Sequence, residues 1–516
     1  MNGIHKRRRG EERGDETEEA PVRTKKSDNL PNGVGSRNHF SEDKTSSILS
    51  GLEFIHELYS DSAAAKIWGI AQRDLNKPVA PTLYPEYTKP GGVKYIYREL
   101  EFWTSGFFPG SLHVLLERQR RFGHVLERQA PGKSSISPHV LQLEFACRWW
   151  TVNLHSNSQL EGTHDLGFMI APWARRQWEL HHDTQSFATM ISAAKTLAMR
   201  FNPIVGAIRS WDNCQTKVYS FKDLNADFLV IIVCIFSIIP PIPHLFDSLF
   251  VLLNYFLQDN LMNLDIVFWA AAQTNDNAMF NIALSHAKLS QRELVRLDST
   301  TSHLVNFDPA TGTVKERLTN QGMGHESCWA RGQAWAITGF AQTYNWTGDV
   351  SFLKTSKDCA DYFLANLPET LIPPWDFDAP KDGKQPTDTS AAVIAAYGML
   401  LIHESLAAYG DSSEYLTSAL RILNAVCAHH LNPPAKFVVQ KLEVETVEHG
   451  ASLEQGAVTV DLGDGETILN GATINNFEFA PRRWANHGLV YADYFFLLCG
   501  NKLLEMGIGQ LILRAK

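Results

Sequence analysis

Between Asn320 and Tyr344 the chain reads NQGMGHESCWARGQAWAITGFAQTY, which brings three Gln, a His, a Glu, an Arg and two Trp into one short stretch. A sugar ring has apolar C–H faces and polar edges, so aromatic surfaces beside a guanidinium and an amide suit an acidic saccharide. Gln321, Trp329, Arg331 and Trp335 are the candidate binding residues here. A buried Trp is more often core than ligand platform, but a buried Arg needs a partner, and the cluster weighs toward a site. Two carboxylates stand in surroundings unlike a solvated surface. Asp165 lies between His164 and the apolar run Leu166-Gly167-Phe168, and Asp259 opens DNLMNLDIVFWAAA. One carboxyl kept protonated by burial or by its neighbour, with the other ionised, is equipment for acid–base catalysis. The plainer readings are a helix N-cap for Asp259 and a turn for Asp165. His303, in a stretch read as a loop between helices, and Trp211 in the Ser210-Trp211-Asp212 triplet join the candidates through their company. No Gly-rich phosphate loop, HExxH or GxSxG occurs, so phosphoryl transfer, zinc proteolysis and serine hydrolysis lack their usual signs.

The elements that must position these groups are mostly helical. Apolar residues recur at helical spacing over 48–59, 110–126, 141–154, 184–200, 259–273, 277–297, 332–346, 351–365, 389–408, 413–429 and 485–505. Strand-like alternation is confined to about 436–460, which predicts a small β-hairpin decorating an all-α body. A weak repeat places aromatic or small residues beside Gly just before helices: WTSGFFPGSL at Trp103, THDLGFMI at Thr163, CWARGQAW at Cys328 and WANHGLVYADYF at Trp484. Helical hairpins whose starts share one rim describe an α/α toroid with a pocket at that rim; ordinary Gly-rich loops are the bland alternative.

Residues 1–48 are rich in charge, Ser, Asn and Gly, which predicts a disordered tail ahead of a single domain over 49–516. The net charge of -9 argues against nonspecific nucleic-acid binding. The seven Cys are scattered without a CxxC pair, which suits a reducing compartment and offers no zinc site. The charged N-terminus has no apolar signal core, so a cytoplasmic location is expected. One stretch, Phe228 to Leu257, is far more apolar than its surroundings. Pro240, Pro241 and Pro243 split it into halves that each fall short of the roughly twenty residues a span needs, so no stable membrane association is expected. A monotopic anchor is the alternative. Residues 233–258 also read as an atypical insert, or as translated intron whose removal would join Ile232 to Asp259.

The blocks WTSGFFPGSL, THDLGFMI, IRSWD, DNLMNLDIVFWAA, the His303 loop, NQGMGHESCWARGQAWAITGFA, PPWDFDAP followed by DTSAA, and RRWANHGLVYADYF run in an order that resembles the unsaturated glucuronyl hydrolases, glycoside hydrolase family 88. The resemblance implies an (α/α)6 barrel that removes 4,5-unsaturated uronic acid from the non-reducing end of lyase-generated oligosaccharides by hydrating a vinyl ether, with no metal and no cofactor. It puts the general acid/base on Asp259, the partner carboxylate on Asp165, and substrate contacts on Trp103, His164, Trp211, His303, Gln321, Trp329, Arg331 and Trp335. The insert abuts Asp259, which departs from the family pattern and predicts impaired catalysis if it displaces the helix start. Alternatives are an unsaturated galacturonyl hydrolase of pectin fragments on the same scaffold, and a sugar-binding protein without turnover.

Overall fold

The computed structural model describes residues 49–127, 138–212, 214–215, 218–231, 260–445, 452–480 and 483–515. The tail 1–48, the insert 233–258 and Asp259 lie outside the described residues. The folded unit runs from Ile48 to Lys516. Its helices are α1 (Asp61–Leu75), α2 (Phe107–Glu127), α3 (Val140–Thr151), α4 (Leu166–His181), α5 (Thr184–Met199), α6 (Asn260–Thr274) and α7 (Asn277–Glu293), followed by α8 (Ala330–Thr347), α9 (Val350–Ala365), α10 (Thr389–Ala407), α11 (Tyr415–His429), α12 (Val490–Glu505) and the short α13 (Ile508–Arg514).

Even-numbered helices form a closed inner ring, each packed against the next from α2 through α4, α6, α8 and α10 to α12, which returns to α2. Odd-numbered helices α1 to α11 lie outside, and the whole is an (α/α)6 barrel. The sequence explains the division. Inner helices are apolar nearly all round, as in TSAAVIAAYGMLLIHESLA of α10, where residues 389–396 are buried without interruption. Outer helices carry one apolar stripe, as in α11, with Leu416, Ala419, Leu420, Leu423 and Val426 buried. Helix α10 is long and apolar enough to cross a bilayer, and its surroundings in the barrel account for that composition.

Three inner helices turn into their outer partners by the same two-residue device. His182 (φ 53), Asn275 (φ 54) and Gly348 (φ 69) each adopt the left-handed conformation, and the Asp that follows caps the next helix. Asp183 accepts the Ser186 N–H at 2.8 Å, Asp276 the Met279 N–H at 2.9 Å and Asp349 the Ser351 N–H at 2.9 Å. Gly and Asn tolerate the left-handed region and Asp satisfies N-terminal N–H groups, so the turn is written in residue type. Longer connections lie at the opposite end, where the inner helices begin.

Strands there depart from the sequence reading, which confined them to one hairpin. That hairpin is present as β6 (Lys436–Glu445) paired with β7 (Ser452–Asp461). In addition β1 (Leu83–Thr88) pairs with β2 (Tyr95–Glu99), and β3 (Phe228–Ile231), β4 (Leu304–Phe307) and β5 (Val314–Leu318) form an antiparallel sheet in that order; two-residue strands are left unlabelled. His303 therefore leads directly into a strand. Pro85 within β1 and the distance in sequence between β3 and β4 hid these pairings. Helices α1 and α4 also went unanticipated, α4 because Pro172 sits inside it. The predicted helix over 48–59 is reduced to a 3-10 turn at Ile55–Tyr59.

Candidate active site at the inner helix starts

Every described candidate lies at the end of the barrel where inner helices start. Trp103 precedes α2, His164 and Asp165 precede α4, Trp329 is the N-cap of α8, and Arg331 and Trp335 occupy its first two turns. All are buried, as are Trp211, His303 and Gln321. Ring contacts join them. Trp103 lies 5.9 Å from Phe168 and 5.1 Å from Tyr491, Phe168 lies 5.4 Å from Trp335, and the Arg331 guanidinium sits over both Trp329 (4.5 Å) and Tyr491 (5.5 Å). His303 faces Trp329 at 5.0 Å, and His164 faces Trp211 at 6.0 Å. The sheet β3–β4–β5 links these last two pairs, because Trp211 packs on Leu229, Ile231, Leu304 and Leu318 and the Leu304 strand begins next to His303. The one site residue this arrangement leaves out is Asp259, beyond the described residues; α6 begins at the position after it.

Asp165 is wholly inaccessible, and burial pushes its carboxyl up to about 8, opposed by the Thr163 hydroxyl and by Arg200. Thr163 donates to Oδ2, while Oδ1 has no hydrogen-bond partner among the described residues. His164 is held well below the usual imidazole range, chiefly by burial; its Nδ1 meets the Ser210 carbonyl at 2.8 Å, and its Nε2 lies 3.7 Å from Asp165 Oδ1. With Nδ1–H given to that carbonyl, a neutral His164 leaves Nε2 as an acceptor. Both groups are thus neutral at pH 7, and their contact is between a protonated acid and a neutral ring, not an ion pair. Arg200 fixes the same corner from behind, donating to the Ser210 carbonyl at 3.3 Å and to Asp212 at 3.0 Å.

Arg331 is engaged with several groups of the protein itself. Its Nη1 donates to Asp388 Oδ2 at 2.6 Å, to Ser390 Oγ at 3.1 Å and to the Thr473 carbonyl at 2.7 Å, and Nη2 donates to the Ile474 carbonyl at 2.7 Å. A guanidinium this deeply buried requires such compensation, and Asp388 matches its charge within the protein. Gln321 Nε2 shares the Ile474 carbonyl at 3.0 Å. The segment 466–475 is consequently a strap. One end is held by Asp493, which accepts the Ile468 and Leu469 N–H groups at 2.9 Å each, and the other end receives Arg331 and Gln321. Asp376 orders the loop ahead of α8, accepting from the Met323 N–H and the Ser327 hydroxyl at 2.7 Å each. The sequence reading did not single out Asp376, Asp388 or Asp493. Asp388 had a signal, a carboxylate directly before the helix-starting TSAA; for the other two the partners are distant in sequence.

The inner helices α4 and α6 meet with unusual closeness. A Cβ on Gly167 would lie 2.4 Å from Asn263 Oδ1 and 2.7 Å from Asn263 Cα. That approach lets Asn263 Oδ1 accept the Phe168 N–H at 3.0 Å, a first-turn amide of α4 that also donates to the Asp165 carbonyl at 2.9 Å. Unsatisfied buried polar atoms collect at this rim: Thr104 Oγ1, Ser105 Oγ, His164 Nε2, Asp165 Oδ1, Ser302 Oγ, both amide atoms of Asn320, Gln321 Oε1, and the indole nitrogens of Trp211, Trp329 and Trp335. Native interiors rarely leave such atoms without partners, so their concentration marks a place built for a polar ligand or water. Among the described residues no cluster of three His, Cys, Asp or Glu is arranged as metal ligands.

No model of a protein family matches the chain. It is similar to an unsaturated glucuronyl hydrolase of Formosa agariphila, 29% identical over 398 residues that cover 77% of this chain and 78% of the relative. It is also similar to an unsaturated chondroitin disaccharide hydrolase of Streptococcus agalactiae, 29% identical over 323 residues, 62% of this chain and 68% of the relative. Its fold is that of a crystal structure of an unsaturated glucuronyl hydrolase specific for heparin, with a TM-score of 0.63 and 24% identity over 89% of this chain and 98% of the other. With the sequence likeness spanning most of its length and the barrel shared throughout, the chain is a homologue of the unsaturated glucuronyl hydrolases.

Proposed function

We propose that this chain is a glycoside hydrolase that removes a 4,5-unsaturated uronate from the non-reducing end of an oligosaccharide by hydrating its vinyl ether. The observation that carries this reading is Asp165: an inaccessible carboxyl pushed up to about 8, with an unpartnered oxygen at a rim of aromatic rings and unsatisfied polar atoms. Protonating an enol ether needs a proton donor in a dry aromatic setting, and that is what this corner supplies.

The balanced sequence is short. A carboxyl of the Asp259–Asp165 pair gives its proton to C4, and a cation stabilised by the ring oxygen develops at C5. Water adds at C5 and returns a proton to the carboxylate. The hemiketal then opens at its C5–ring oxygen bond to a ketone, and the hemiacetal this leaves at C1 collapses, breaking the C1–O bond and releasing the next sugar's hydroxyl and an open-chain keto-uronate. Asp259 takes the acid/base role by resemblance, and Asp165 serves as the second carboxyl of a pair that shares one proton. Trp103, Trp329 and Trp335 face the sugar, and His164, Trp211, His303 and Gln321 present polar atoms to its edges. Arg331 is a contact to the sugar and also holds the loop at Thr473 and Ile474. Relatives are named for chondroitin and heparin, which supports unsaturated glycosaminoglycan disaccharides as the substrate class.

The test incubates the full chain with unsaturated disaccharides from chondroitin, heparin and pectin and follows the ultraviolet absorbance of the double bond. Loss of that absorbance, with oxygen from labelled water arriving at C5 and deuterium from heavy water at C4, is the expected result. Label at the anomeric carbon instead would replace hydration by direct displacement, and inertness toward all three sugars would remove the proposal.

A further inference from the structure

Around the His303 imidazole, five buried side-chain polar atoms have no hydrogen-bond partner among the described residues: Ser302 Oγ, Asn320 Nδ2 and Oδ1, Gln321 Oε1 and Trp329 Nε1. Asn320 and Trp329 contact that ring: the Trp329 ring lies 5.0 Å from it, and the Asn320 N–H donates to its Nδ1 at 3.2 Å. Ser302 is next to His303 in sequence, and Gln321 is next to Asn320. Asn320 differs from the others in leaving a whole functional group unused. Its main chain is fixed on both sides, by His303 and by Asn475 Nδ2, which donates to the Asn320 carbonyl at 2.8 Å. The residue is 2% exposed and both amide atoms are buried, which leaves too little surface for bulk water to satisfy them. A buried amide with both ends open has given up its hydration for no bond in return, so the position is unfavourable unless something else completes it.

We propose that Asn320 is a substrate-binding residue of this site, with Nδ2 donating to one sugar hydroxyl and Oδ1 accepting from its neighbour. The chemistry selects that ligand. A carboxylate only accepts and an ammonium only donates, so either satisfies half of the amide. Adjacent hydroxyls offer both functions at the spacing of the two amide atoms. A uronate with a 4,5-double bond and a linked anomeric carbon keeps free hydroxyls at C2 and C3 only, and these are the pair Asn320 reads. Gln321, next in the chain, has given its Nε2 to the Ile474 carbonyl and keeps one acceptor free, so the two amides divide the work. This inference rests on the function proposed above and names a residue that fixes the sugar's orientation.

The variants are Asn320→Ala and Asn320→Leu in the full chain, assayed on unsaturated chondroitin disaccharide and melted with and without it. A binding residue with no partner in the protein predicts a melting temperature unchanged or raised without sugar, because no internal bond is lost. It also predicts a KM higher by about tenfold or more, with kcat changed far less, since two neutral hydrogen bonds are at stake. Saturating disaccharide should raise the melting temperature of the parent chain and not of the variants. A structural Asn would instead lower the melting temperature by several degrees without sugar, and that result, or an unchanged KM, overturns the assignment. If the parent chain is stabilised by the disaccharide but does not consume it, hydrolysis fails while the melting comparison still judges Asn320. A parent chain neither stabilised nor active sinks both.

Discussion

The proton on Asp165 bears on stability as well as on the proposed catalysis. The carboxyl's folded value of about 8 lies above the ordinary carboxylate range, so the folded chain holds a proton that the unfolded chain releases near pH 4. This group's contribution to stability is full below about pH 4, declines as the pH rises, and is lost once the pH passes 8. Asp165→Asn removes the titration, so its melting temperature relative to the parent should improve between pH 5 and 8, roughly the window between those two values. Its kcat should fall by about a hundredfold or more while sugar still raises the melting temperature. Thr163→Val tests the other side of the balance. The hydroxyl favours the charged carboxylate, so its loss should move the alkaline limb of kcat/KM to higher pH, read from a full pH profile. At this scale the sequence was informative about which residues gather and silent about their state. The neighbours of Asp165 in THDLGF showed an imidazole and an apolar run, but its total burial and the distant Ser210 carbonyl on His164 arise only when α4 meets the Trp211 loop. Asp388 was legible as a carboxylate directly before a helix start, whereas Asn320 went unread because nothing local distinguishes an open amide from a bonded one.

Between helices, the spacing of the two carboxylate-bearing segments depends on small residues. Gly106 is the tighter case, since a Cβ there would lie 2.2 Å from the Phe168 carbonyl and 2.5 Å from that of Met169, both backbone atoms of α4. Gly167 meets a side chain as well as backbone on α6. Gly167→Ala should therefore push α6 away from α4, and a displacement of about an ångström at the reacting groups can cost a hundredfold in rate. The check is kcat against melting temperature: the variant should lose far more rate than stability, whereas Gly106→Ala should lose both. The Arg331–Asp388 pair predicts the opposite pattern. Asp388→Ala strands a buried guanidinium, which costs about 3–5 kcal/mol, and should be seen as a large drop in denaturant midpoint. The glycines were visible in the sequence as members of aromatic–Gly motifs, and the structure uses Gly106 and Gly167 for close approach. Helices were legible from a clear stripe, as in α11, or from an uninterrupted apolar run, as in α10; α4, with Pro172 inside and apolar residues on most sides, offered neither. The left-handed residue followed by Asp that joins α4, α6 and α8 to their partners was present in the sequence as a repeat and is a better index of this architecture than the motifs used.

For the molecule as a whole, the segment 233–258 poses the sharpest question. Deleting it leaves residues 232 and 259 between the end of β3 and the start of α6, a connection of ordinary length for such an element pair, where about 2–6 residues are usual. The shortened chain should melt no lower than the parent and turn over unsaturated disaccharide faster; a slower or less stable product would show that the segment belongs to the working protein. Sequencing transcripts across that junction addresses the same point independently.

The inner ring closes on itself, with α12 resting against α2, and the turn at Ile55–Tyr59 packs against α13, with Tyr59 donating to the Gly500 carbonyl at 3.0 Å. A wheel without a first spoke can be cut anywhere along its quiet side. Linking residues 515 and 49 and opening the chain between His182 and Asp183, away from the sugar-facing rim, would reorder the polypeptide while keeping every neighbour in place. Such a permuted chain should still fold, and its retained turnover would show that the order in which the hairpins are synthesised is incidental to the shape they build.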